Sequence, residues 1–242
     1  MNNYKNKNAF IGKNNEELIR NSIADHPSVI QKLIDRFNIK GIFENTAGGG
    51  IYGDKSDVRI NFTCGRYIDA NIKSYRVGFN QLRRTTVSKF CDDFNLSPQQ
   101  KDELEFLVVE KSKNTKNPLF PIEKQKNWGI FFRENAKDIL KWGFSEKQNR
   151  EILILYDMYA SLVKIYHMKD VLQQLPTEII FTKGGLNIGN CITFQRKGGN
   201  GSYSKNIPKT TIQHPGNHIQ FKIKIAKLIS NLEQFILAEY SI

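Results

Sequence analysis

Hydrophobic and polar residues alternate with a period of two between residues 57 and 73. The hydrophobic positions are Val58, Ile60, Phe62, Ile68, Ala70 and Ile72. This alternation is typical of strands that turn one face toward a core and leave the other face polar. Gly65 lies between the two halves and suits the tight turn of a hairpin. We therefore predict two antiparallel strands whose polar faces lie side by side and carry Asp57, Asp69, Asn71 and Lys73.

Outside the hairpin, apolar residues mostly recur at helical spacing. This spacing predicts helices over 8–24, 28–37, 79–95, 98–111, 121–144, 145–175 and 226–240. Alternation returns near the end of the chain and predicts strands over 178–183, 190–196 and 218–224. The pattern as a whole predicts an α/β fold, in which a mixed β-sheet that contains the hairpin is flanked by helices. At 242 residues the chain, 1–242, fits a single compact unit.

Composition adds a strongly basic charge balance. Lysine and arginine total 36 against 24 acidic residues, which gives a formal net charge of +12. A basic chain of this kind most often binds nucleic acid. No segment approaches the roughly 18 apolar residues that could span a bilayer, and the first residues lack the apolar core of a secretory signal. We therefore expect no membrane association and a cytoplasmic location. The three cysteines and four histidines show no spacing typical of a zinc site.

The polar side of the hairpin has the residue types that phosphodiester hydrolysis needs. A divalent ion polarises the phosphoryl group and lowers the pKa of the attacking water, and Mg²⁺ is usually held by carboxylate and carbonyl oxygens. Asp57 can supply the carboxylate, and the Ile72 carbonyl can supply a further ligand. Lys73 can position the nucleophile and stabilise negative charge in the transition state. Asn71 falls on the same face as Lys73.

The segment Ser56-Asp57…Asn71-Ile72-Lys73 resembles the catalytic motif of the PD-(D/E)XK nuclease superfamily. It departs from the usual motif at Ser56, where proline is common, and at Asn71, where a second acid is usual. The approach AGGGIYGDKSDVRINF followed by DANIKS is similar to MspI-like type II restriction endonucleases, which also have an asparagine in this segment. The resemblance is close over residues 47–73 and looser over most of the remaining chain.

This resemblance implies a restriction-endonuclease-like mixed β-sheet and the activity of a type II restriction endonuclease. Such an enzyme uses Mg²⁺ to hydrolyse double-stranded DNA at a short specific site, and it leaves 5′-phosphate and 3′-hydroxyl ends. Asp57 would bind the metal together with the Ile72 carbonyl and Asn71, and Asn71 would orient a water or phosphate oxygen. Lys73 would position the nucleophile.

The resemblance also implies that the first helix brings a glutamate toward the metal. Glu17 is our candidate and Glu16 is its competitor. The role of Asp69 is open, because it can either complete the metal shell or pair with Arg59.

Recognition of DNA is expected in two places. Gly49, in the glycine run before the hairpin, and Arg76, in the basic segment after it, are candidates for DNA contact. A second cluster is rich in side chains that bind base edges, and its members are Gln195, Arg196, Lys197, Asn200, Ser202, Lys205, Gln220 and Lys222. A mobile surface loop is the alternative interpretation of this cluster. On this basis 1–118 is the catalytic part, and 119–242 is the helical and DNA-recognition part.

The implied partners are double-stranded DNA and a cognate DNA methyltransferase that protects the host's own sites. The resembled enzymes include monomers, which favours a monomer over a homodimer. Two other functions stay open. One is a DNA repair or recombination nuclease of the same fold that cuts by structure. The other is a non-catalytic DNA-binding protein in which Asn71 marks a lost active site.

Overall fold

The computed structural model describes residues 7–48, 56–76, 78–144, 148–199 and 206–242. The helices in these ranges are α1 (Lys7–Ala24), α2 (Pro27–Phe37), α3 (Val87–Asp93), α4 (Pro98–Lys113), α5 (Ile122–Phe144), α6 (Met168–Gln174) and α7 (Ile225–Leu232). The strands are β1 (Phe43–Gly48), β2 (Val58–Phe62), β3 (Tyr67–Tyr75), β4 (Phe79–Thr85), β5 (Glu151–Asp157), β6 (Leu162–His167), β7 (Ile179–Thr182), β8 (Gly185–Ile188), β9 (Ile192–Arg196), β10 (Ile219–Lys224) and β11 (Ile236–Ser241). None of the described helices combines the length and the apolar character needed to span a membrane.

The chain forms two compact units, each assembled from separate segments. The first unit comprises Met1–Gly78, Phe144–Gln174 and Ile229–Ile242. The second unit comprises Phe79–Gly143 and Leu175–Leu228. The expected boundary at residue 118 falls inside the second unit, within the loop after α4. The assignment of catalysis to 1–118 and of recognition to 119–242 stays a prediction.

The first unit is built on a six-stranded mixed sheet in the order β1-β2-β3-β5-β6-β11. The pairing of β3 with β5 is parallel, and the other pairings are antiparallel. Helices α1 and α2 bury their apolar side chains against the hydrophobic face of β2 and β3. Pro27 begins α2, where its missing N–H is not needed, and Asn38 ends it in a left-handed conformation. These contacts fix the hairpin against a packed core.

The second unit is built on a five-stranded antiparallel sheet in the order β4-β10-β9-β8-β7. One face of this sheet packs on α3 and α5 through an aromatic core. Its buried rings include those of Phe90, Phe120, Trp128, Phe132, Phe194 and Phe221. Ser97 and Gln100 cap the start of α4 reciprocally, so its first turn is satisfied without tertiary help.

Three of the predicted helices are wrong in part. Residues 79–85 form strand β4, and only the end of the predicted helix 79–95 is helical. The predicted helix 145–175 is the pair of strands β5 and β6 followed by α6. The predicted helix 226–240 ends early, at Leu232, and the chain continues into strand β11. The hairpin and the helices over 98–111 and 121–144 are confirmed.

Candidate functional site

The predicted hairpin is present in the first unit. Strands β2 and β3 pair in an antiparallel register that places Val58 opposite Ala70 and Arg59 opposite Asp69. Gly65 has a φ of 75°, the left-handed conformation that the turn requires and that glycine adopts without cost. Both Asp69 and Asn71, on the polar side of β3, are buried. Strand β3 is central in the sheet, because β2 and β5 pair with its two edges.

Asp57 and Lys73 both form hydrogen bonds to the backbone of Ile72. The Ile72 N–H donates to Asp57 Oδ2 at 2.6 Å, so the carboxylate occupies the place of a backbone acceptor at the end of the β2–β3 ladder. The Lys73 ammonium donates to the Ile72 carbonyl oxygen at 3.2 Å. The Asp57 N–H in turn donates to the Ala70 carbonyl at 2.9 Å. Backbone hydrogen bonds therefore hold both charged groups on a rigid strand.

Burial controls the electrostatics of this site. It raises the pKa of the Asp57 carboxyl, against the opposing effects of the Lys73 ammonium and the hydrogen bond from Ile72. It also lowers the pKa of the Lys73 ammonium, against the attraction of Asp57 and Glu16. Shifts of this kind, in which a carboxyl and an amine are both brought toward neutral pH, are frequent in active sites.

Of the two glutamates on α1, Glu16 is the one whose charge acts on the site. Burial raises the pKa of Glu16, the nearby Asp57 carboxylate raises it further, and Lys73 and Lys13 oppose the shift. Glu17 is 61% exposed and lies 3.7 Å from Arg20 of the same helix. The structure therefore brings Glu16, and not Glu17, to the pair formed by Asp57 and Lys73. We name Glu16, Asp57, Asn71 and Lys73 the carboxylate–lysine site.

Asn71 has one satisfied and one unsatisfied polar atom. Its Nδ2 donates to the carbonyl oxygen of Phe144 at 3.1 Å. Its Oδ1 is buried and has no hydrogen-bond partner among the residues that the structure describes. A buried acceptor without a donor costs free energy, so such an atom indicates a missing water, ion or ligand. Asn71 is therefore able to contribute a neutral oxygen ligand.

Asp69 forms an ion pair with Arg59. The distance from Arg59 Nε to Asp69 Oδ1 is 2.8 Å, and only 2% of the Asp69 side chain is exposed. The Arg59 guanidinium also lies over the ring of Tyr67, 4.1 Å from its centroid. Of the two roles left open by the sequence, pairing with Arg59 is the one that the structure shows.

The site fits a hard divalent cation, although it lacks a cluster of acids. Within the described ranges, no three His, Cys, Asp or Glu side chains converge as metal ligands. Oxygen donors are nevertheless present here in the Asp57 carboxylate, the Ile72 carbonyl and the nearby Glu16 carboxylate, and the neighbouring Asn71 amide has a buried, unsatisfied oxygen. Oxygen donors of this mixed type suit Mg²⁺, which retains several waters and needs few protein ligands.

The buried charges at this site are expected to reduce stability. Because the folded-state pKa of Asp57 is raised, its contribution to stability is present at low pH and is lost as pH rises through that value. Because the folded-state pKa of Lys73 is lowered, its contribution is present at high pH and is lost as pH falls through that value. Both contributions are therefore reduced at the intermediate pH values where both groups are charged.

We therefore expect the double variant Asp57→Asn/Lys73→Met, measured at neutral pH without metal, to be more stable than the wild type by about 1 kcal/mol or more. Differential scanning calorimetry would show this as a higher melting temperature. As a control, the exposed pair Glu110 and Lys113, 2.6 Å apart, would be neutralised in the same way. That change should stay within about 0.5 kcal/mol. A lower melting temperature for the Asp57/Lys73 variant would contradict this expectation.

The second unit has a continuous polar face on the side of its sheet opposite the aromatic core. Strand register places Gln195, Gln220 and Arg84 in one row, and Thr193, Lys222 and Gln81 in the next. Asn187 lies opposite Thr193, and Lys197 and His218 meet where Lys197 N–H donates to the His218 carbonyl. We call this set the polar face, comprising Gln81, Arg84, Asn187, Thr193, Gln195, Lys197, His218, Gln220 and Lys222.

All the charged side chains of the polar face are basic. Its nine residues include three side chains that are cationic at neutral pH and no carboxylate. Burial and the nearby charges of Arg84 and Arg196 lower the pKa of Lys197, and burial with Arg84 and Lys197 lowers the pKa of His218. Cations that lie together without a carboxylate partner are suited to phosphate groups, and the amides between them are suited to base edges.

Of the other predicted DNA contacts, Arg196 is in the same sheet but on its opposite side. Arg196 lies in register with buried Ile219, on the opposite side of the sheet, and its Nε donates to Asn217 Oδ1 at 2.6 Å. Asn217 donates to the carbonyls of Lys209 and Thr211, so Arg196 helps to fix this loop. Arg76 is exposed after β3. Gly49, Asn200, Ser202 and Lys205 lie outside the described residues.

The sequence alone did not identify Gln81, Arg84, Asn187 and Thr193 as members of this face. Arg84 and Gln81 were placed in a helix, which has no regular period-two face. The alternation over 218–224 already places His218 on the polar side of its strand, together with Gln220 and Lys222. Arg84 is recognised as a member of this face only because β4 pairs with β10 and places it opposite Gln220. This pairing is a tertiary contact.

Comparison with solved structures identifies the fold as restriction-endonuclease-like. The chain is similar to the restriction endonuclease MspI, whose crystal structure is of the complex with its cognate DNA. The TM-score is 0.50 at 16% sequence identity, and the match covers 81% of this chain and 77% of that one. No family model matches the sequence, and no curated protein matches it. The expected α/β fold with a mixed sheet is thus confirmed at the level of its overall architecture.

Proposed function

We propose that this protein is a Mg²⁺-dependent, sequence-specific endonuclease of double-stranded DNA, of the type II restriction class and the PD-(D/E)XK superfamily. The observation that carries the proposal is that Asp57 and Lys73 bond to the backbone N–H and carbonyl of the same residue, Ile72, on a hairpin of a restriction-endonuclease-like fold. An aspartate and a lysine held at the backbone of one residue, beside a glutamate, have the composition of a phosphodiester-hydrolysing site.

Each residue of the carboxylate–lysine site has a distinct role in this proposal. Asp57, the Ile72 carbonyl and Asn71 Oδ1 would hold Mg²⁺, and Glu16 would add a second negative charge through direct or water-mediated contact. When bound, Mg²⁺ polarises the phosphoryl oxygens and lowers the pKa of a coordinated water. Lys73 orients the attacking water and stabilises the negative charge that develops on the phosphate. Burial lowers the pKa of Lys73, so its ammonium gives up a proton more readily than that of an exposed lysine.

The polar face of the second unit supports DNA as the substrate. The net charge of +12 favours a polyanion, and the alternation of cations with amides on one sheet face combines phosphate contact with base contact. The similar structure, MspI, was solved with its cognate DNA. We extend DNA binding to this chain as part of the proposal, together with a cognate methyltransferase partner, a monomeric state and a cytoplasmic location.

Digestion of plasmid DNA of known sequence tests the proposal directly. Purified protein with Mg²⁺ should give discrete fragments, and their ends should carry 5′-phosphate and 3′-hydroxyl groups. Sequencing of the ends should return one short recognition site. Indiscriminate or structure-dependent nicking would instead identify a repair or recombination nuclease. Absence of cleavage by folded protein that still binds DNA would identify a non-catalytic DNA-binding protein.

The two glutamates of α1 provide a matched pair of variants. Glu16→Gln is expected to lower the cleavage rate by about 10- to 100-fold, because a charge beside Asp57 is lost, whereas Glu17→Gln should be within about twofold of the wild type because exposed charges couple weakly. The effect of Glu16→Gln should decrease at high Mg²⁺ concentration, since the missing charge mainly weakens metal binding. Initial rates on a single-site plasmid over a Mg²⁺ titration would measure this. A larger loss in Glu17→Gln would reverse the assignment.

A further inference from the structure

Strand β4 contains a β-bulge that changes which residues face the polar side. Arg83 lies opposite Phe221, but the next residue of β10, Lys222, lies opposite Gln81. Leu82 is therefore an extra residue with no partner of its own. Because strand side chains alternate, Gln81 and Arg83 would share a face in a regular strand. The bulge shifts the alternation by one residue, so the Gln81 side chain lies on the face opposite to that of Arg83.

Contacts on the aromatic side of the sheet show where the extra residue, Leu82, lies. The Arg83 guanidinium lies 3.9 Å from the centroid of the Trp142 ring and donates to the Trp142 carbonyl at 2.7 Å. Leu82 packs against Gly143 so closely that a Cβ on this glycine would lie 3.0 Å from Leu82 Cδ2. Two successive residues, Leu82 and Arg83, thus point toward the end of α5. Gln81 and Arg84 are left together on the polar face.

Gln81 is connected to Gln220 by a hydrogen bond on this face. Gln220 Nε2 donates to Gln81 Oε1 at 2.8 Å. Gln81 is exposed, whereas Gln220 is buried between its neighbouring strands. Because its oxygen accepts from a buried donor, the amide plane of Gln81 is oriented and its Nε2 hydrogens are directed elsewhere. An oriented glutamine amide can form the paired hydrogen bonds that distinguish adenine from other bases.

We propose that Gln81 reads a base, preferentially adenine in the major groove, and that Gln220 is its positioning residue. The proposal rests on DNA being the ligand of the polar face, as in the proposed function. It changes the assignment made from sequence, where Gln220 was the candidate for direct contact. The flanking cations Arg84, Lys197 and Lys222 would contact phosphates and fix the register of the DNA.

The test is selection of binding sites from a randomised DNA duplex pool, in EDTA so that binding is measured without cleavage. The wild type should enrich a short site that contains an A·T pair. Gln81→Ala should lose about tenfold or more of the preference at that one pair. Its affinity for the unselected pool and the salt dependence of that affinity should be unchanged, because no phosphate contact is removed. Gln99→Ala, an exposed glutamine of α4, is the matched control.

Two further variants distinguish reading from general structural damage. Gln220→Leu removes the donor to Gln81, so it should weaken preference at the same base pair and at no other. Gln81→Glu keeps an acceptor for Gln220 but cannot donate to a base. This variant should move the preference at that position from adenine toward cytosine, whose amino group a carboxylate accepts. Melting temperatures of all variants would be measured in parallel.

The outcomes separate this inference from the proposed nuclease activity. If Gln81→Ala enriches the wild-type site with unchanged preference at every position, the reading role is overturned even when the wild type cleaves that site. If Gln220→Leu alters a different base pair, the positioning role is overturned. If the wild type enriches a site and Gln81→Ala loses one pair, but Mg²⁺ gives no cleavage, the inference holds and the nuclease proposal fails. A wild type that enriches no site overturns both.

Discussion

Replacing Lys73 with methionine is expected to lower the rate of DNA cleavage by about 1,000-fold. A single group that stabilises transition-state charge is worth about 100- to 1,000-fold, and the proposed role of Lys73 includes orienting the nucleophile. Methionine preserves most of the length and packing of the side chain. The hydrogen bond between Asp57 and the Ile72 N–H should be kept, because it does not involve the ammonium. The loss should therefore affect chemistry and leave DNA binding intact.

Single-turnover cleavage with enzyme in excess would measure this change in the Lys73 variant, since it excludes effects on product release. Lys222→Met on the polar face is a matched control, because it removes the same charge from a different place. It should weaken DNA binding and its salt dependence while preserving most of the single-turnover rate at saturating protein. A Lys73→Met protein that cuts within tenfold of the wild type would show that Lys73 is not the catalytic lysine.

Asp57→Asn is expected to abolish both cleavage and the binding of Mg²⁺ at the carboxylate–lysine site. The amide oxygen of asparagine can still accept from Ile72, so the hairpin should remain intact, but the negative charge closest to the proposed metal is gone. Cleavage should fall by about 1,000-fold or more, as expected when a metal-dependent reaction loses its main anionic ligand. Wild-type protein should gain thermal stability with Mg²⁺, as linkage requires, and Asp57→Asn should gain none.

Calorimetry over a Mg²⁺ titration separates the metal role of Asp57 from a structural one. Asp170→Asn is a useful control, because Asp170 pairs with Arg36 at 2.6 Å in the same unit and is not part of the site. This control should lower the melting temperature without changing its dependence on Mg²⁺. If Asp57→Asn retained the Mg²⁺-dependent increase, the metal would have to bind elsewhere.

The sequence was informative about the hairpin because only one face of β2 is buried. Its alternation with a period of two survives in the amino-acid order, and the short turn at Gly65 leaves little freedom in the pairing. Asp57 and Lys73 could therefore be brought together from sequence alone. The burial of Asn71 and Asp69 could not, because it depends on parts of the chain that are distant in sequence, such as Phe144, which lies 73 residues after Asn71 and accepts its hydrogen bond.

Strands β5 and β4 escaped prediction for two different reasons. Strand β5 lies between two other strands, and its residues from Ile152 to Leu155 are all fully buried. A strand that is apolar on both faces does not alternate, and its spacing also fits a buried helix. Strand β4 does not alternate because the bulge at Leu82 interrupts its period. The face of Gln81 is therefore a property of the tertiary structure.

The choice between Glu16 and Glu17 required the rotational phase of α1. Ile19 and Ile23 are fully buried and define the inner side of this helix. Glu16 precedes Ile19 by three residues and Ile23 by seven, so it falls on that side. Glu17 is rotated by about 100° from Glu16, as successive helical residues are. The spacing was present in the sequence, but the flanking apolar residues Phe10 and Leu18, which are exposed, obscured which side was buried.

The two units alternate along the chain, and this limits how the DNA site proposed for such a protein could change during evolution. The polypeptide passes from one unit to the other four times, after Gly78, Gly143, Gln174 and Leu228. Neither unit is a contiguous segment that recombination could exchange as a cassette. New target preferences would have to arise by substitution within β4, β9 and β10, so the carboxylate–lysine site and the polar face are inherited together.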